Sequence, residues 1–237
     1  MDLIWEGIKQ ALGHILTADS EVLSITLRSL WISGAATLLS LAVGIPIGIA
    51  LALARFPGRS LAVSLINTGM GLPPVVVGLF VSVFLWRSGP LGFLELLYTP
   101  TAMVIAQLII AFPIVAGLTM AAFQTLNPNL SLQLLGIGAS RLQLLWLLAK
   151  EARLPLLAAV MAGFGGVISE VGASMMVGGN IRGQTRVLTT ATVLETGKGN
   201  FEIAIALGLI LLILTFAVNF LLTHIQQREQ LRWPKPS

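Results

Sequence analysis

The chain has 237 residues, 56% of them hydrophobic and 10% charged, with a net charge of +4, no cysteine and a mean hydropathy of +0.91. Soluble domains carry about 25% charged residues, so this composition excludes a soluble enzyme, a nucleic-acid module and a disordered chain. Without cysteine there is no disulfide, thiol nucleophile or thiolate metal site, and the isolated histidines His14 and His224 read as interfacial residues rather than ligands.

Residues 1–20 open the chain with Asp2, Glu6 and Lys9 set between Leu3, Ile4, Ile8, Ala11, Leu12, Ile15 and Leu16. That spacing predicts an amphipathic helix lying in the membrane interface. A bilayer core needs roughly 20 apolar residues in helix. Five runs meet this length: 27–56, 61–86, 101–123, 154–177 and 203–223. The first carries Gly44 and Gly48, a small-xxx-small pair that allows a second helix to approach closely. In the second, Pro73 and Pro74 sit among Gly69, Gly71 and Gly78. Two prolines remove two backbone donors and must kink or break the helix. The break is either a packing kink or part of a water-filled path, where freed carbonyls find partners. Pro113 in the third run poses the same choice.

The segment 124–153 is too long for a plain connector. Leu132, Leu135, Leu142, Leu145 and Leu148 recur there with polar neighbours, which predicts two short helices broken at Gly136-Ile137-Gly138. In the fourth run, Glu170 is the one acid well inside an apolar stretch. It either caps the backbone amides of residues 172–179 or takes part in a gate or path. Residues 178–201, rich in glycine, threonine and charge, read as a long outer loop.

Arg55, Arg59, Arg141, Lys150, Arg153, Arg228, Arg232 and Lys235 fall on one side of these spans. The positive-inside rule makes that side cytoplasmic and the N-terminus external. Gly197-Lys198 is followed by Gly199, so no phosphate-binding loop of the Walker type is present. No nucleophile–base pair or HExxH pattern occurs either. The sequence thus predicts no catalytic residue, no metal site and no cofactor.

Leu72-Pro73-Pro74-Val75-Val76-Val77-Gly78 and Leu85-Trp86-Arg87-Ser88-Gly89-Pro90-Leu91-Gly92 resemble the membrane permease subunits of ATP-binding-cassette importers for molybdate, tungstate and sulfate. Ile168-Ser169-Glu170-Val171-Gly172-Ala173-Ser174, Gly178-Gly179-Asn180-Ile181 and Thr185-Arg186 are similar to the same group, above all to tungstate permeases. The resemblance covers residues 27–223. It implies a single all-α membrane domain over 1–237, like a type I importer permease: five transmembrane helices, an N-terminal interfacial helix and a cytoplasmic coupling loop at 124–153.

The resemblance places Gly138, Ala139 and Ser140 at the centre of the coupling motif, which departs from the family pattern at Leu132, Glu151 and the Leu154-Pro155 pair. Glu170, Gly172, Ala173, Ser174, Pro73 and Pro74 are read from their own chemistry as a translocation path or gate, apart from the resemblance. The resemblance further implies a homodimer in the inner membrane, two ATP-hydrolysing subunits on the inner loops, and an extracytoplasmic binding protein that delivers the oxyanion. The cargo order is tungstate, then molybdate, then sulfate. The rival reading, an ion-coupled secondary transporter, wants paired intramembrane charges and an internal repeat, and the sequence offers one acid and no clear repeat.

Overall fold

The computed structural model describes residues 5–9, 13 and 20–231, with the side chains of 229–231 left aside. Among the described residues the chain is helical throughout, without strands. Ten helices follow in order: α1 Ser20–Leu53, α2 Arg59–Met70, α3 Pro74–Leu85, α4 Pro100–Gln124, α5 Pro128–Gly136, α6 Arg141–Glu151, α7 Arg153–Ile168, α8 Gly172–Gly178, α9 Leu188–Gly197 and α10 Phe201–Leu231.

Helix α4 is the centre. It starts at Pro100, whose missing N–H is no loss at a first helical position, and Thr99 accepts from Ala102 N at 3.3 Å as its cap. Two thirds of its most apolar stretch is buried, against 17% for α10, which therefore faces outward. Helix α1 buries a stripe of small residues, Ser29, Ser33, Thr37, Ser40, Gly44 and Gly48, and packs against α4 at the two glycines. A Cβ on Gly44 would stand 2.9 Å from Val115, and one on Gly48 would stand 2.5 Å from the Ala116 carbonyl oxygen. The two backbones thus touch where lipid gives no hydrophobic drive and close packing must hold the helices. Along the same stripe, Ser29 and Thr37 donate to the carbonyls of Ile25 and Ser33, so the hydroxyls cost nothing unpaired.

Two of the five apolar runs are not straight helices. Run 61–86 divides into α2 and α3, which meet at 104°. The break itself has a local cause: Pro73 disfavours helical geometry at Leu72, and Pro74 fits only as the first residue of a new helix. Run 154–177 divides into α7 and α8 at 57°, across Ser169-Glu170-Val171. By length and composition, three long helices and two bent pairs supply up to five candidate spans. The ends also move: α1 begins at Ser20 and α10 continues to Leu231, both beyond their apolar runs. The loop expected at 178–201 contains α9, started by Val187 N donating to the Thr190 hydroxyl at 3.1 Å.

Of the N-terminal helix expected over 1–20, residues 5–9 are described and are helical. A Cβ on Gly7 would meet Ile205, so this turn rests on α10. The rest of that expectation, with His14, lies outside the described residues, as do Arg232 and Lys235.

Candidate functional site

The break between α7 and α8 gathers four of the residues singled out by sequence. Glu170 is 7% exposed, and its Oε1 accepts from Ala173 N at 2.8 Å. An acceptor there satisfies one of the orphan donors that every helix start presents. The Glu170 carbonyl accepts from the Thr189 hydroxyl at 3.0 Å, which ties the break to α9. Gly172 is half-buried, while Ala173 and Ser174 are fully buried.

Helix α3 packs onto α8 without a gap. A Cβ on Gly78 would stand 2.7 Å from Ala173 Cα, and one on Gly172 would stand 2.6 Å from Val75 Cγ2. Both broken spans therefore meet at their breaks. Pro74 is half-buried at the start of α3, and Pro73 before it is exposed. Ser174 Oγ accepts from Gln107 Nε2 of α4 at 3.3 Å. Gln107 is 3% exposed, and its Oε1 has no hydrogen-bond partner.

Gly138, Ala139 and Ser140 lie elsewhere, between α5 and α6. Along the chain, α6 and α7 stand between them and the break. Gly138 has φ +89°, in the left-handed region where glycine carries no Cβ penalty. Ser140 caps α6: Gln143 N donates to its hydroxyl at 3.3 Å, and Ser140 N donates to Gln143 Oε1 at 2.8 Å. This reciprocal pair fixes where α6 begins. Around it Leu132, Ile137, Leu142 and Trp146 are exposed, Ile137 at 82% and Leu142 at 79%.

At the opposite ends of the spans, Arg28 donates to the carbonyls of Arg186 (3.0 Å) and Gly183 (2.9 Å). Arg182 pairs with Glu21, which holds the guanidinium above its ordinary pKa. Glu195 accepts from Asn200 (2.7 Å) and Lys198 (2.8 Å), and these bonds hold its carboxyl below the usual range. Among the described residues no cluster of His, Asp or Glu is arranged to hold a metal ion.

Residues 44–230 match the family described as the binding-protein-dependent transport system inner membrane component. The chain belongs to that family of permeases. The permease is 40% identical over 229 residues to the tungstate uptake system permease protein TupB of Peptoclostridium acidaminophilum, covering 96% of this chain and all of that one. It is 36% identical over 224 residues to TupB of Campylobacter jejuni, covering 94% and 93%. A chain of a bacterial ABC transporter involved in the import of alginate shares the fold, with a TM-score of 0.75 at 18% identity, covering 91% of the permease and 83% of that chain. The permease is thus an all-helical subunit of an ABC importer, a transport component of the inner membrane.

Sequence reading missed two features of this permease. Gln107 is a single amide in a strongly apolar run, and only its partner on α8 gives it a role. The link from Thr189 to Glu170 depends on α9, which the threonine-rich composition concealed.

Proposed function

We propose that the permease forms the membrane path of a tungstate importer. Two copies pair, with the path between them. Cytoplasmic ATPases grip the exposed α5–α6 break at Gly138, Ala139 and Ser140, and an extracytoplasmic binding protein delivers the oxyanion to the other side. ATP binding favours one arrangement of the ATPase pair. The shift is passed through α5 and α6 to α7 as rigid-body motion, since nucleotide binds the two states with different affinity. The N-terminus lies outside and the α5–α6 loop inside.

The observation that supports a path at the breaks is the packing of α3 on α8, with Gly78 against Ala173 and Gly172 against Val75. Interrupted helices at membrane depth are tolerated where protein or a water-filled path satisfies the freed backbone. Pro73, Pro74, Glu170, Gly172, Ala173 and Ser174 line or hold this gate. Glu170 is the holding residue, through its bond to Ala173 N. Ser174 is 1% exposed here, so its hydroxyl reaches cargo only when the packing of α8 on α4 opens. Moving a bare ion into low dielectric costs tens of kcal/mol by idealised Born arguments, so the path is wet and binds its anion weakly. Selectivity then lies chiefly with the binding protein.

The cargo assignment rests on the tungstate-permease relatives. Competition settles the order: in vesicles holding permease, ATPase and binding protein, labelled tungstate uptake is reduced more by molybdate than by sulfate. Preferential sulfate uptake would overturn the assignment.

A further inference from the structure

A cavity of about 330 Å³ lies where the first turns of α1 and α10 meet α9 and the segment 182–186. Its walls are of two kinds. Arg182, Arg186, Lys198, Glu21 and Glu195 form a charged side, and aliphatic residues such as Ile25, Ile203 and Leu207 form the other. Within the charged side, Arg186 is under-used. Its Nη1 stands 3.9 Å from Glu21, and its Nε is buried without a partner. A buried donor left unmet is costly, so an acceptor here is favoured.

We propose that this cavity is a phospholipid site, with the lipid phosphate on Arg186 and Lys198 and the first methylenes against Ile25, Ile203 and Leu207. Two observations select an amphiphile over the bare cargo. The aliphatic wall offers nothing to a hydrated dianion, whereas burying acyl carbons against it is favourable. Three cations face two acids, an excess that one phosphodiester charge neutralises. The guanidinium of Arg186 suits a phosphate because its planar fork can donate two parallel bonds. A bound lipid would fasten α1, α9 and α10 together on the side where substrate arrives.

The test uses the intact permease complex, purified in mild detergent and weighed by native mass spectrometry. Wild type retains one phospholipid per permease copy. Arg186→Gln and Lys198→Gln each weaken retention of added phosphatidylglycerol about tenfold, the loss of one charge-assisted bond. Lys198→Gln leaves the Arg186–Glu21 contact in place, so a folding defect confined to the Arg186 variant does not decide the matter. Added phosphatidylglycerol raises the melting temperature of wild type and not of the variants. Equal retention by wild type and Lys198→Gln would overturn the proposal. So would displacement of the lipid by millimolar tungstate or phosphate, which would make the cavity a free-oxyanion site. No transport is needed, so the result is independent of the cargo assignment.

Discussion

At the break between α7 and α8, Glu170 accepts a bond from Ala173 N, and a glutamine can do the same. Glu170→Gln is therefore expected to keep near-wild-type stability, whereas Glu170→Ala loses the cap, at about 1 kcal/mol. For a chain of this size that is a fall of roughly 2–4 °C in Tm. A thermal melt of the two variants checks this, and an equal fall in both would show that charge, rather than the acceptor, matters. Gly78 gives a second prediction. A Cβ there meets the Ala173 backbone, which cannot swing aside as a side chain can. Gly78→Ala should cost about 1–3 kcal/mol by overpacking and lower uptake in step. The capping bond of Glu170 was legible from an acid followed by a glycine-rich stretch. The partnership of Gln107 with Ser174 was not, because nothing local in α4 points to α8.

Among the elements, the α5–α6 pair and α9 yield predictions of different kinds. Gly138 holds φ +89° in open space, so a new side chain there is strained by its backbone rather than by a clash. Gly138→Asp adds that strain, about 1–2 kcal/mol, and a charge beside the exposed Ile137 and Leu142. The variant is expected to insert normally and to lose its ATPase on copurification. A complex that copurifies and transports normally would contradict the docking assignment. In α9, the carboxyl of Glu195 is held below its usual pKa, first by Asn200 and then by Lys198. A depressed carboxyl contributes stability above its unfolded pKa of about 4.3 and loses it as pH falls through the folded value. Melts from pH 6 to pH 3 should show wild type above Glu195→Gln at the upper end, with the gap closing in acid. Helix α9 itself was hidden in the sequence, since its threonines carry little apolar period, and its capping hydroxyl, Thr190, bonds within the turn. By contrast, α5 and α6 were visible from leucines at helical spacing around a glycine break.

Across the whole molecule, the five apolar runs correspond to three long helices and two bent pairs, and the shape of those pairs depends on tertiary packing. Pro73 and Pro74 require a break; the 104° turn follows from where α3 finds α8 and where Gly69 meets Pro113. Orientation rests on basic residues such as Arg55, Arg59, Arg141 and Arg153, and the chain has no native cysteine to confuse a probe. Ser140→Cys should resist an impermeant thiol reagent in intact cells and react after lysis; labelling in intact cells would reverse the topology. The central claim is ATP-driven, binding-protein-dependent passage of an oxyanion through this permease. Its most direct test is labelled tungstate uptake by vesicles that hold permease and ATPase, with ATP or binding protein withheld in turn. Uptake is expected only when both are present, and uptake that persists without ATP, or without the binding protein, would contradict the claim.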